Sequence, residues 1–228
     1  MQQQVLPLGH ATAMQRADFL VSNCNALVLA KLDAWPDGTA ETLIVTGPSG
    51  CGKTHLLHIW AKKAGAGLIE ASNLDADLLD SLMKEPRPLA IDHLDAVFGS
   101  PLHEQALFHL YNRWREAGVS LVLAVCQPLG IAPIHLPDLA SRLRALPAVA
   151  VEPPDDLLLA RILAKLFADR QITVAANVVG YLVSRMERSF SGAGELVDRL
   201  DRAALAEGKP ITMALARTIF NHTASKML

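Results

Sequence analysis

Eight consecutive residues, Gly47-Pro48-Ser49-Gly50-Cys51-Gly52-Lys53-Thr54, fit the pattern G-x-x-x-x-G-K-S/T in full. Glycines let backbone N–H groups converge on phosphate oxygens with no Cβ in the way. Lys53 can bring its ammonium to the β- and γ-phosphates, and Thr54 can offer a hydroxyl to Mg²⁺. Further on, the apolar run Leu89-Ala90-Ile91 ends in Asp92, where a phosphate-loop protein keeps a carboxylate for the same metal. Together these residues call for a nucleotide, ATP or ADP, with Mg²⁺. Many hydrolysing proteins of this kind carry a second acid next, to orient water. Here that place holds His93, with Asp95 two further on. An imidazole with an unperturbed pKa of ~6.5 is a poor permanent stand-in for a carboxylate, so weak intrinsic hydrolysis is expected. His55 and His58 are spaced to share a helix face, but no third metal ligand is evident. They read as surface or packing positions, as do Trp60 and Trp114.

A phosphate loop works only between a strand that aims it and a helix whose N-terminus faces the anion. Leu43-Ile44-Val45 is the short apolar strand, and residues 52–64 read as the helix. Further strands are expected at Gly67–Glu70, Pro88–Asp92, Ser120–Val125 and Ala148–Val151. Helices are expected at Leu74–Lys84, Leu102–Glu116 and Asp138–Arg144. Residues 11–34 read as a helical stretch after a short extended start, followed by the turn Trp35-Pro36-Asp37-Gly38. Continuously apolar strands separated by helices mark a parallel sheet covered on both faces. After Glu152-Pro153-Pro154 the pattern changes, and 155–170, 174–187, 193–206 and 211–222 all read helical. The expected class is therefore α/β, a three-layer domain on a five-stranded parallel sheet followed by a small helical bundle. The expected organisation is an extended peptide over 1–10, a nucleotide-binding domain over 11–152 and a helical domain over 153–228.

The 228 residues are 51% hydrophobic and 19% charged, which suits a packed core rather than disorder. A formal net charge of −2 argues against wrapping nucleic acid unaided, because counterion release needs clustered Lys and Arg. DNA contact is expected to be indirect or weak. The three cysteines, Cys24, Cys51 and Cys126, lie far apart, which suggests no disulfide framework and a reducing cytoplasm. No apolar run approaches the ~20 residues that span a bilayer, and the N-terminus lacks a signal peptide's basic start.

Several stretches narrow the field. The phosphate loop, the Asp92 strand, Leu136-Pro137-Asp138-Leu139-Ala140-Ser141-Arg142-Leu143 and the helical C-terminal part together resemble the AAA+ ATPases of bacterial replication initiation. Within them the chain resembles the DnaA group, and most closely its Hda branch of DnaA regulators. Ala17-Asp18-Phe19-Leu20-Val21, Leu110-Tyr111-Asn112-Arg113 and Leu200-Asp201-Arg202-Ala203 support the likeness. It implies a sheet order of 5-1-4-3-2 and a C-terminal lid. It also implies nucleotide contacts from Phe19, Val21, Gly47, Pro48, Ser49, Gly50, Cys51, Gly52, Lys53, Thr54 and His55, with Mg²⁺ at Thr54 and Asp92. Arg142 matches the family's arginine finger, a guanidinium offered in trans to a neighbour's γ-phosphate. Local pairing with Asp138 is the alternative, and Arg144 is the other candidate. The family's polar sensor on the fourth strand falls on Cys126, with Gln127 beside it, and the lid's sensor arginine falls on Gly194. ADP is the resident ligand the likeness implies. DnaA's own helix-turn-helix domain is not expected, since the sequence stops at Leu228.

Two other readings compete. A small P-loop nucleotide kinase would need an arginine-rich lid, and residues 120–150 offer only Arg142 and Arg144. A helicase-loader or transposition-helper ATPase would need a basic surface. The N-terminus separates these readings. Gln3-Gln4-Val5-Leu6-Pro7-Leu8 reads as a peptide that binds the replicative sliding clamp. Gln3 can donate and accept hydrogen bonds, Val5 precedes two leucines, and Leu6 and Leu8 can each bury ~1.5–3 kcal/mol of side chain. Pro7 lowers the entropy lost on ordering. DnaA is the second expected partner, through the AAA+ interface, and a homodimer is the third.

Overall fold

The computed structural model describes residues 16–36 and 42–224, the side chains through residue 220. The peptide of Gln3, Val5, Leu6, Pro7 and Leu8 lies outside the described residues. Five strands form one parallel sheet: β1 (Thr42–Thr46), β2 (Gly67–Glu70), β3 (Leu89–Asp92), β4 (Leu121–Val125) and β5 (Ala148–Ala150). Their order is β2-β3-β4-β1-β5, the one the family likeness implies. β3 and β4 are buried along their whole length, while the edge strands β2 and β5 are partly exposed. That gradient is why the central strands read as unbroken apolar runs.

Alternate side chains feed two core layers, as the two-residue period of a strand requires. Leu43, Val45, Val122 and Ala124 pack with α1 (Ala26–Ala34) and α2 (Lys53–Ala64). Ile44, Leu121, Leu123 and Val125 pack on the opposite face, beside α3 (Ala76–Lys84), α4 (Pro101–Ala117) and α5 (Pro137–Arg144). Trp60 and Trp114 are buried in these two layers, and the Trp114 indole donates to the Arg87 carbonyl at 2.9 Å. The remaining helices, α6 (Asp156–Asp169), α7 (Ala176–Val183), α8 (Phe190–Glu207) and α9 (Met213–Ala224), close a third cluster among themselves. Leu163, Phe167, Leu182, Leu196 and Leu215 lie in it. Asp155 caps α6 by accepting from the Leu158 amide at 2.7 Å.

Two expected elements start elsewhere. The stretch 11–34 is not one helix: Arg16–Asp18 is a single 3₁₀ turn and α1 begins only at Ala26. The buried Asn25 side chain accepts from the Ser22 amide at 2.9 Å and donates to the Leu20 carbonyl at 3.0 Å. Its short polar side chain competes with helical bonding and leaves 19–25 as a folded loop. α8 starts three residues before the expected 193, because Ser189 caps it by accepting from the Gly192 amide at 2.9 Å.

Candidate functional site

The loop between β1 and α2 bends through left-handed backbone at Gly50 (φ 69°) and Gly52 (φ 96°). Neither position has room for a side chain. A Cβ on Gly50 would lie 2.1 Å from the Ser191 Oγ, and one on Gly52 would lie 2.7 Å from the Phe190 ring. Both neighbours belong to the first turn of α8. The Phe190 amide also donates to the Gly50 carbonyl at 2.7 Å. The lid therefore rests directly on the loop.

Lys53, only 5% exposed, donates from Nζ to the carbonyls of Gly47 at 2.7 Å and Pro48 at 3.0 Å, with the Cys126 Sγ at 3.6 Å. The Thr54 hydroxyl donates to Asp92 Oδ2 at 2.5 Å, and Asp92 Oδ1 accepts from the His93 amide at 2.8 Å. The hydroxyl and the carboxylate thus meet at one point, two oxygen donors of the kind a magnesium ion takes. His93 sits in left-handed backbone (φ 51°), and its Nδ1 lies 3.3 Å from Glu70. A non-glycine residue in that region, directly after the acidic strand, is local strain of the kind held at functional sites.

Between the loop and the lid lies a cavity of about 680 Å³. Phe19, Ser49, Gly50, Gly52, Lys53, Thr54 and His55 line it, as the sequence leads one to expect, and Cys126, His93 and Gly194 do too. Phe19 meets His55 edge to face at 5.1 Å. Gly47 and Pro48 sit behind Lys53, and Asp92 behind Thr54, in support rather than in the lining. Two of the expected residues turn their side chains away from the cavity. Val21 is 44% exposed and outside the lining, because the Asn25-organised loop turns it to solvent. Cys51 points into the core beside α1 and α2, where it is 1% exposed. Burial raises the pKa of the Cys51 and Cys126 thiols despite the opposing charge of Lys53. His58 donates from its ring to the Thr54 carbonyl at 2.9 Å. Among the described residues no group of three or more His, Cys, Asp or Glu is placed to hold a metal.

The lid supplies a wall that the motif did not reveal. Lys165 of α6 bonds Asp169 at 3.1 Å and reaches Asp18 at 3.3 Å. Burial alone would lower the Lys165 pKa, but these two carboxylates outweigh it and raise it. Arg170 pairs with Asp198 of α8 and lies 3.9 Å from Asp201. The i,i+4 spacing of Lys165 and Asp169 is legible in the sequence, but it reads as an ordinary exposed pair.

Arg142 does not line the cavity. Among the described residues no ion pair joins it to Asp138. Its Nη1 donates to Asn112 Oδ1 at 2.5 Å, and its guanidinium lies 4.9 Å from the Phe108 ring. Arg144 donates from Nε to the Leu129 carbonyl at 3.1 Å. The loop that leads into α5 is tied to Glu104 of α4, which is 0% exposed. Burial would raise that carboxyl's pKa, and the amides of His135, Gly99 and Leu136 reverse this and lower it. Its contribution to stability is therefore complete above the unfolded glutamate value of ~4.3 and is lost as pH falls through the lower folded value. We expect the Tm of the wild-type protein to fall more steeply between about pH 5 and about pH 3 than that of Glu104→Gln, measured by calorimetry. Parallel slopes would show that Glu104 does not govern acid stability.

The family model described as "Hda, lid domain" matches residues 158–220. An uncharacterized protein of Haemophilus influenzae is 26% identical over 187 residues, 78% of this chain and 80% of its own length. The chromosomal replication initiator protein DnaA of Thermomicrobium roseum is 25% identical over 223 residues, 87% of this chain. The chain spans 47% of that DnaA, about half its length. Domain III of the Thermotoga maritima initiator DnaA superposes with a TM-score of 0.77 at 19% identity, covering 92% of this chain and 96% of that domain. AMPPCP-bound DnaA from Aquifex aeolicus superposes with a TM-score of 0.65 at 18% identity, covering 81% and 64%. With a matched Hda lid on a sheet and loop folded like DnaA domain III, the chain is a Hda/DnaA-related AAA+ protein.

Proposed function

We propose that the protein is a negative regulator of replication initiation that stimulates hydrolysis of DnaA-bound ATP. The observation that carries this reading is the place of Arg142. It stands outside the chain's own nucleotide cavity, with its guanidinium braced on Asn112 and Phe108. A cation held there serves a neighbour's phosphate rather than its own. In this reading the protein's own site holds ADP in preference to ATP. Lys53 and the loop amides bind the phosphates, and Thr54 and Asp92 hold the Mg²⁺. The ion stabilises phosphate charge there. Hydrolysis by the chain itself is weak, because His93 stands where a water-orienting acid would be and Gly194 offers the phosphates no side chain. The pocket's occupant instead fixes the shape of the surface that faces DnaA.

Docking on the DNA-loaded sliding clamp through residues 3–8 completes the proposal. A single short peptide gives only roughly micromolar affinity, about −8 kcal/mol. A ring with several sites, held on DNA, raises it through effective concentration. Removing the first eight residues is expected to abolish capture by clamp on DNA and to reduce stimulation of DnaA-bound ATP hydrolysis to the level seen without clamp. Nucleotide binding should be unaffected. Full capture and stimulation by the shortened protein would overturn the docking step.

A further inference from the structure

A finger in trans works only if its reach is fixed. Misplacing a catalytic group by about 1 Å can reduce a rate on the order of 100-fold. α5 carries Arg142, and its first turn has no side-chain cap of its own. The chain entering that turn is instead held from another helix. Glu104 Oε1 accepts from the Gly99 amide at 2.7 Å and the His135 amide at 3.1 Å. Its Oε2 accepts from His135 at 3.0 Å and from Leu136, the residue preceding α5, at 2.7 Å. A buried carboxylate is tolerated only when its lone pairs are satisfied, and here backbone amides do so. No salt bridge to Glu104 is present among the described residues.

Spacing along α4 adds a second, independent observation. Glu104, Phe108 and Asn112 follow one another at i, i+4 and i+8, so they lie along one face of that helix. Glu104 grips the chain entering α5. Phe108 and Asn112 grip the Arg142 guanidinium near its far end. Gly99, the third amide on Glu104, belongs to the segment that leaves Asp92 and β3. The same carboxylate thus references the arginine helix to the sheet that carries the nucleotide site. We infer that Glu104 is a positioning residue for Arg142, fixing the reach of the finger by anchoring the start of α5 to the same face of α4 that holds the guanidinium.

The inference rests on the finger reading above, and the two are tested apart. Glu104→Gln keeps one acceptor oxygen but turns an NH₂ group toward amide donors. In the reconstituted reaction with DnaA-bound ATP, clamp and DNA, it is expected to lower the maximal stimulated rate about tenfold or more. The half-saturating concentration and the protein's own nucleotide affinity should stay unchanged. Arg142→Ala in the same assay, alone and combined with Glu104→Gln, should show no further loss in the double variant. A wild-type maximal rate for Glu104→Gln would overturn the inference. So would a rate loss matched by equal losses of nucleotide affinity and half-saturation, which would mark Glu104 as a general fold contact. Should Glu104→Gln fail to fold, Glu104→Asp retains the charge and shortens the reach, and the same outcomes decide. If Arg142→Ala alone leaves stimulation intact, it is the finger reading that fails, whatever Glu104 does.

Discussion

Arg142→Ala is expected to reduce stimulation of DnaA-bound ATP hydrolysis by roughly 10³–10⁵, the range an arginine finger supplies to a phosphoryl-transfer transition state. Among the described residues no acid pairs with Arg142, so its charge stays available. Asn112 is a neutral acceptor and Phe108 a ring face, so both orient the guanidinium without a counter-charge. A local salt bridge to Asp138 would have tied the charge down. Stability should change far less than the rate, since the substitution removes one charge-assisted hydrogen bond, about 1.5–3 kcal/mol, and one partly exposed cation–π contact, about 0.5–1 kcal/mol. Arg144→Ala is the matched control. That side chain is tied through Nε to the Leu129 carbonyl, and its loss should leave the stimulated rate near wild type. The reconstituted assay measures both. A loss that follows Arg144 instead would move the finger by two residues.

Lys53→Ala should lower the protein's own nucleotide affinity by about 10²–10⁴-fold. Two charge-assisted hydrogen bonds to phosphate, at ~1.5–3 kcal/mol each, give about 3–6 kcal/mol. In the present shape the ammonium satisfies itself on the Gly47 and Pro48 carbonyls. Binding exchanges those partners rather than desolvating a free cation, which places the lower half of that range nearer expectation. Titration calorimetry with ADP and with ATP, each with Mg²⁺, measures the change. An affinity unchanged for both would remove the loop from nucleotide binding. Clamp capture should survive the substitution, since residues 3–8 are remote from Lys53 in sequence.

The loop and the strands were legible because each rests on short-range physics, whereas the strand order followed only from the family likeness. A continuous apolar run has one stable home in a covered parallel sheet, and a glycine-rich turn before a helix has one common use. What escaped depends on contacts between residues distant in sequence. Glu104 reads as a surface acid in a first helical turn until it meets two amides 31 and 32 residues away. Arg170 reads as a helix end until α8 brings Asp198 beside it. Asn25 is a different failure. Its side chain organises residues within its own turn, and the helical spacing of Ala26, Leu29 and Ala30 just beyond it concealed that competition. Val21 was named from the family likeness alone, and the same loop turns its side chain to solvent.

The seat of α8 on the phosphate loop has a kinetic meaning. The roof of the pocket and the floor are joined by the Phe190 amide on the Gly50 carbonyl, with the Phe190 ring laid over Gly52. Any motion of the lid away from the loop must part them. Breaking one backbone bond costs about 1 kcal/mol net, a small barrier, but lifting the ring also lifts the packed helices behind it. Where release needs the lid to unseat, dwell time follows how often it does so as well as how tightly Lys53 holds the phosphate. Two proteins with identical loops and different residues at 189–191 would differ as timers while agreeing as binders.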